Sequence, residues 1–342
     1  MTAPEARIKL SYVTGLRAVV LEELRANPLF SVMEEGDDSV FVEYAATLLA
    51  EIKKLKSVAR AYLVVQSEKL HPAHLANHKS ILGNLIAPIL AADQKGFKTF
   101  RISCAGSNSP EVQSISKYIR ETYGLAEADE ADLKIHIIKP EDVWEVGIQI
   151  TPRPLSFRDY KVVHMSGAMD PTVAYAVNYF ANLERAKSYL NPCSGSGTLL
   201  IEAARQYPDL ERLLGFDTDK KHLSLSIQNI QKAGLIRRVQ VKEASLLDTP
   251  DFGTFDAIVS DLPFGMAISK DENLDELYKA FLECCERSLN PGGRVVAYTS
   301  EYEILERQVA SSAFRIIKSV SLKFMTSAGA YLQPRILVLE RR

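Results

Sequence analysis

The strongest constraint on this 342-residue chain is the rhythm of its second half. From residue 171 onward, short apolar runs of strand character alternate with amphipathic segments of helical period. Helices are expected at 171–183, 196–207, 220–233, 273–289 and 302–311. Strands are expected at 186–190, 213–217, 239–242, 255–260, 294–299, 315–324 and 336–340. A strand followed each time by a helix must cross over to reach its partner. Alternation of this kind therefore leads to an α/β fold with a doubly wound, mostly parallel sheet.

The first half reads differently. Strands at 7–13, 39–44, 59–65 and 98–104, helices at 15–26, 79–93 and 111–123, and a hairpin at 133–138 and 144–150 form small α+β modules. Thr151, Pro152, Arg153 and Pro154 make a stiff connector, because each proline fixes its own φ and biases its predecessor away from helix. Domain limits are expected at 1–50, 51–155 and 156–342.

Charge narrows the function classes. Lys and Arg number 41 against 43 for Asp and Glu, a net charge of −2, which excludes a histone-like polyanion binder. Residues 51–120 nevertheless hold eleven basic and four acidic residues, a local balance of +7. A solvated helix face is the plain explanation, and a polyanion-binding surface competes with it. No apolar run approaches the ~20 residues that span a bilayer, so no membrane partner is expected. The N-terminus has no apolar signal region. The four cysteines form no CxxC pair, which points to a reducing compartment, the cytoplasm by default, and to no structural metal site.

The chemistry is concentrated at two strand ends. Asn191, Pro192, Cys193, Ser194, Gly195, Ser196, Gly197 and Thr198 follow a strand and open a helix. Glycines there let a ligand approach the backbone and leave helix N-terminal N–H groups available. A P-loop needs a lysine that is missing here, and a dinucleotide fingerprint needs a third glycine where Leu200 stands. What remains is a two-glycine turn with Asp217 at the end of the next strand, placed to accept both hydroxyls of a ribose. The second element is Asp261, Leu262, Pro263, Phe264 and Gly265, directly after the apolar strand. A carboxylate, a proline-stiffened backbone and an aromatic ring can together hold a planar base.

These segments resemble motifs I, II and IV of Rossmann-like S-adenosylmethionine-dependent methyltransferases. Asp261-Leu262-Pro263-Phe264 is similar to the signature of exocyclic-amine N-methyltransferases. More narrowly, the chain resembles THUMP-domain RNA methyltransferases, and among them the tRNA guanine-N2 enzymes. His164, Gly167 and the run Asp170-Pro171-Thr172 match the stretch before motif I, and residues 55–60 match part of the N-terminal region. The resemblance implies a seven-stranded, mostly parallel methyltransferase sheet, preceded by a ferredoxin-like segment (1–50) and a THUMP-like RNA-binding domain (51–155). It implies S-adenosylmethionine as cofactor and a structured RNA, tRNA first, as partner, with no obligatory protein partner.

Carried onto this sequence, the resemblance puts Asn191, Cys193, Gly195, Gly197 and Thr198 along the methionine end of the cofactor. It puts Asp217 and Thr218 at the ribose and Glu243 and Ala244 at the adenine, with Asp261 reaching both cofactor and base. Glu243 stands where the family carries Asp, one methylene shorter, and Leu262 stands where the general signature has its first proline. Asp261, Leu262, Pro263 and Phe264 would hold the target amine.

A purine amine is a poor nucleophile because its lone pair is delocalised into the ring. Acceptors at Asp261 and the Leu262 carbonyl would draw its hydrogens out of conjugation, with orientation supplying most of the acceleration. The expected RNA contacts are Lys53, Lys54, Lys56, Arg60, Lys79, Arg153 and Arg158. The alternatives are an rRNA guanine-N2, an adenine-N6 or a DNA amine methyltransferase, and a non-catalytic RNA-binding protein on a relict fold. His71, His74 and His78 share an i, i+3, i+7 spacing, read as a solvated or RNA-facing helix surface before a metal site. Cys193 is read as a small turn residue, and Cys284 and Cys285 as core.

Overall fold

The computed structural model describes residues 5–76, 79–93, 95–140, 142–162, 167–263, 273–325, 329 and 331–342. The chain divides into two units, Met1–Tyr12 with Val20–Ser156, and Val13–Val19 with Phe157–Arg342.

Among the described residues, one sheet of eight strands runs through the first unit. Its order is Val32–Glu35, Ser39–Glu43, Arg7–Ser11, Arg60–Gln66, Glu145–Gln149, Leu133–Ile138, Thr99–Cys104 and Ala126–Glu127. Strands from both sides of residue 50 contribute to this one sheet. Arg7–Ser11 pairs directly with Arg60–Gln66, Ile8 opposite Leu63 and Leu10 opposite Ala61. All four side chains are fully buried, so strands from either side of residue 50 build one shared apolar face. The helix Pro110–Tyr123 packs on Thr99–Cys104. It starts where the Ser109 hydroxyl accepts the Val112 N–H at 3.3 Å, and it ends at Gly124 in the left-handed region.

Of the three histidines expected on one helical face, His71 lies outside the helix as its N-terminal cap. A four-residue helix, Pro72–Leu75, precedes a separate one, Lys79–Ala92. Pro72 opens the short helix, the His71 ring accepts the Ala73 N–H at 3.2 Å, and the same ring packs edge-on against Trp144 at 5.0 Å. His78 lies outside the described residues.

One acid is deeply buried in this sheet. Glu145, fully out of solvent, receives Lys9 Nζ at 3.1 Å and Gln66 Nε2 at 2.7 Å, and lies 2.9 Å from His136 Nε2. Burial alone would raise its pKa. The His136 bond and the Lys9 charge and bond, with Gln66 behind them, outweigh burial and hold it at about 2.

The second unit contains seven strands in one sheet among the described residues: β1 (Ser188–Pro192), β2 (Arg212–Asp217), β3 (Val239–Glu243), β4 (Phe255–Asp261), β5 (Leu289–Thr299), β6 (Phe314–Ser321) and β7 (Arg335–Arg341). Their order is β3-β2-β1-β4-β5-β7-β6. The first five are parallel, and β7 runs antiparallel to both β5 and β6. Helices α1 (Pro171–Phe180), α2 (Thr198–Gln206), α3 (Lys220–Lys232), α4 (Leu274–Ser288) and α5 (Tyr302–Ala310) provide the crossovers and flanking layers. This is the α/β arrangement expected from the alternation. Leu190, Phe216, Phe255, Ile258, Tyr278, Phe281, Val295 and Leu337 belong to one buried cluster. Burial of each large apolar side chain contributes about 1.5–3 kcal/mol. Strand order reverses between β1 and β4, and in such sheets the ligand crevice opens at the carboxyl ends of those two strands.

Candidate active site

The turn after β1 is shaped by three residues at positive φ: Cys193 at 55°, Gly195 at 50° and Gly197 at 77°. The left-handed region favours glycine and costs a side-chain-bearing residue such as Cys193 about 1–3 kcal/mol, a strain typical of functional turns. Gly197 is also required by space, because a Cβ there would lie 2.5 Å from Ser226 Oγ on α3. Ser194 N–H donates to Phe216 O at 2.9 Å, tying the turn to β2. Asn229 Nδ2, also from α3, holds the Ser196 carbonyl at 3.1 Å.

Asp217 ends β2 and does two jobs at once. Oδ2 accepts the Gly195 N–H at 2.9 Å, and Oδ1 accepts the Asp219 N–H at 3.0 Å with His222 Nδ1 3.4 Å away. A carboxylate has about four lone-pair sites, so capacity remains for hydroxyls. His222 was not singled out in the sequence, although its place five residues after Asp217, on the first turn of α3, was the available signal. Thr198 opens α2 and is buried, while Thr218 is exposed. Glu243 faces Asp217 across the β2–β3 ladder, but it is exposed and lies 3.5 Å from Lys220 Nζ. The Ala244 N–H donates to the Asp217 carbonyl at 3.1 Å.

The third strand end carries the candidate reactive group. Asp261, the last residue of β4, has an Oδ1 sealed from solvent with no hydrogen-bond partner among the described residues. Desolvation pushes its pKa up to about 8. Asn191 Oδ1 and Ser194 Oγ are likewise buried and unpartnered, while Asn191 Nδ2 is fixed to the Val259 carbonyl at 2.8 Å. Buried polar atoms are nearly always bonded, so the unpartnered oxygens of Asn191 and Asp261, at the ends of neighbouring strands β1 and β4, make this a candidate ligand site. Leu262 is fully buried and its N–H holds the Tyr298 carbonyl at 2.9 Å. The Pro263 carbonyl accepts the Tyr278 hydroxyl at 2.9 Å. Phe264 and Gly265 lie outside the described residues, as does His164. Tyr278 and Thr299, which the sequence reading missed, have no local motif to betray them.

Comparison with known proteins gives the family. A profile of RMKL-like methyltransferase domains matches residues 158–329. The chain belongs to that methyltransferase family. Its second unit is thus the methyltransferase unit. A U6 snRNA (guanine-N(2))-methyltransferase, THUMPD2, of Bos taurus is 30% identical over 59% of this chain and 41% of its own length. The chain spans about two fifths of the length of such relatives. A tRNA (guanine(6)-N2)-methyltransferase of Thermus thermophilus is 29% identical over 68% of each chain. In fold, the crystal structure of TrmN from Thermus thermophilus is similar over 98% of this chain and 100% of that one, with a TM-score of 0.79 at 24% identity. No helix among the described residues is long and apolar enough to cross a membrane.

The expected RNA contacts separate on inspection. Lys54, Lys56, Arg60 and Arg153 are exposed. Lys53 is held by Asp93 at 2.8 Å and Lys54 by Glu51 at 2.7 Å. Lys79 is half-buried with its ammonium 5.6 Å from the Tyr118 ring. Arg158 requires correction. It is 6% exposed, its Nε lies 3.1 Å from Glu202 Oε1, and Tyr160 donates to the same oxygen at 2.7 Å. Glu202, on α2, would be a buried unpaired charge without it, so Arg158 is committed to the fold of the methyltransferase unit.

Proposed function

We propose that the chain is an S-adenosylmethionine-dependent RNA methyltransferase that modifies the exocyclic N2 amine of a guanosine in tRNA. The observation that carries this reading is the sealed, unpartnered Oδ1 of Asp261 at the crevice end of β4. A carboxyl group kept out of water without a partner is costly, and an amine hydrogen is the donor that would relieve it.

The residues present fit the cofactor. The turn through Gly195 and Gly197 takes the left-handed backbone that glycine allows, Asp217 has acceptor capacity for the ribose, and Asn191 Oδ1 is an unused acceptor at the end of β1. Thr218, Glu243 and Ala244 border the place for the rest of the nucleoside. S-adenosylmethionine, when bound, supplies a methyl already activated on sulfonium. The work of the chain is then orientation. Asp261 and the Leu262 carbonyl accept the two amine hydrogens, freeing the nitrogen lone pair from the ring, and Asp261 in its ionised form takes up the released proton. Pro263 stiffens that backbone, and Phe264 offers its ring to the base. A paired base must leave its stack to enter, at a cost of about a few kcal/mol, which stacking on an aromatic ring partly offsets.

The first unit is assigned to RNA in this proposal, with a ferredoxin-like and a THUMP-like part sharing its sheet. Exposed Lys54, Lys56, Arg60 and Arg153 are its phosphate contacts. The cytoplasm is the compartment proposed with a tRNA substrate. The test is methylation of unmodified tRNA transcripts, followed by mass spectrometry of the nucleosides. N2-methylguanosine is expected. N6-methyladenosine would transfer the site to adenine chemistry, and cofactor binding without any product would favour a relict fold.

A further inference from the structure

The β4 ladder ends at Asp261, opposite Tyr298, so Leu262 and Pro263 lie past the last residue pair. Leu262 still reaches the Tyr298 carbonyl through its N–H. Pro263 has no N–H, which leaves its carbonyl as the one backbone group able to anchor it. That carbonyl is met by the Tyr278 hydroxyl at 2.9 Å, from the second turn of α4.

The Tyr278 hydroxyl is also 2.6 Å from Thr299 Oγ1, and Thr299 Oγ1 accepts the Glu301 N–H at 3.0 Å. A carbonyl cannot donate, so the single Tyr278 proton is committed to Pro263. The bond between the two hydroxyls must then use the Thr299 proton. The chain has one direction: Glu301 N–H to Thr299, Thr299 O–H to Tyr278, Tyr278 O–H to Pro263. Tyr278 and Thr299 are both fully buried, so water does not substitute for either link. A core position that needed only volume would be served by phenylalanine; the hydroxyl is spent on one carbonyl in the segment between Asp261 and Phe264.

We propose that Tyr278, backed by Thr299, is a positioning residue that fixes the Asp261–Leu262–Pro263 backbone so that its two acceptors converge on the target amine. This rests on the amine-methyltransferase reading above. Tyr278 touches neither substrate nor cofactor in this role. It acts through the carbonyl of Pro263.

The experiment compares parental protein, Tyr278→Phe, Thr299→Val and the double variant, all as full chains. One readout is single-turnover methyl transfer to tRNA at saturating S-adenosylmethionine. The other, which needs no substrate, is hydrogen exchange at the Leu262 amide. Loss of one such bond is expected to slow transfer about tenfold in Tyr278→Phe. Leu262 exchange should quicken by a similar factor, with cofactor affinity within about twofold of parental. The double variant should be no slower than Tyr278→Phe alone, because both residues are links of one chain. A folded Tyr278→Phe protein with parental Leu262 exchange and parental rate would overturn the proposal. So would a loss confined to thermal stability and cofactor affinity. If the parental protein makes no N2-methylguanosine, the functional reading fails, and the exchange measurement still decides the positioning role.

Discussion

Glu145 in the first unit is fully buried, Asp261 in the second is half-buried with one carboxyl oxygen sealed from solvent, and their proton affinities move in opposite directions. Glu145 is met by Lys9, Gln66 and His136, and its pKa falls to about 2. Asp261 keeps an oxygen with no partner, and its pKa rises to about 8. Burial is common to both, so burial does not distinguish structure from function. Satisfaction does. A saturated acid holds strands together, while an unsaturated one at a strand end is a candidate for the ligand-facing role proposed above.

The largest effect should come from Asp261. Asp261→Ala removes an acceptor that matters as the amine rehybridises, so the methyl-transfer rate is expected to fall about 10²–10³-fold, as when one preorganised polar contact to a reacting group is lost. Cofactor affinity should change little, which separates the effect from general damage. Asp261→Asn should retain more activity than Asp261→Ala. It should also be more stable than the parent near pH 8. An unfolded Asp ionises near pH 4 and the folded one near 8, so the unfolded state loses its proton first and stability falls as pH rises between those values. Denaturation at pH 5 and pH 8 checks this: a parent that gains stability across the interval would contradict the poised state of Asp261.

Glu145 should show the opposite pattern. Glu145→Ala breaks a buried pair and should cost about 3 kcal/mol of stability, with no change in cofactor affinity. The stabilising contribution of Glu145 is present above its unfolded pKa and is lost as pH falls from about 4.5 toward 2. Urea titration of parent and Glu145→Gln across this acid range measures it. A Glu145 variant that slowed methyl transfer without loss of stability would break the contrast from the other side.

What the sequence disclosed follows the same division between local and distant causes. The strands and helices around Gly195, Gly197 and Asp217 were legible because a turn, a helix start and the next strand end lie within about 25 residues. Asp261 was legible by its place after an apolar strand. Its solitude was not, since that depends on which groups fail to reach it. Tyr278 bonds a carbonyl 15 positions earlier and a hydroxyl 21 positions later, through a helix crossing that no spacing rule contains. Arg158 was counted as basic surface because its partner Glu202 is 44 positions away. The limit at residue 50 came with the family resemblance, and the pairing of Lys9 with Tyr62 across it is a long-range contact that no local pattern contains.

Asp217 lies between the two extremes, partly satisfied and still able to accept. Asp217→Ala should weaken S-adenosylmethionine binding about tenfold to a hundredfold, since charge-assisted bonds contribute about 1.5–3 kcal/mol each. The loss includes the Gly195 N–H anchor, so the turn itself should loosen. Calorimetry of the folded variant gives the answer, and unchanged affinity would remove Asp217 from the cofactor site.

The smallest effect is expected at Glu243, and it tests whether position alone makes a carboxylate functional. Glu243 ends β3 directly across from Asp217, which by resemblance is the adenine side of the site. Its side chain is 54% exposed and lies 3.5 Å from Lys220, itself 78% exposed. An ion pair that open contributes about 0–1 kcal/mol, and its members are free to exchange partners with water. The extra methylene relative to aspartate lets the carboxylate reach solvent and Lys220 without strain. Glu243→Gln keeps an acceptor oxygen and should change cofactor affinity by no more than about threefold. Glu243→Asp is the sharper variant. If the adenine amine is held from this position, the shorter acid should tighten binding. If affinity stays parental in both variants, the adenine is held by backbone near Ala244, and Glu243 belongs with the solvated surface.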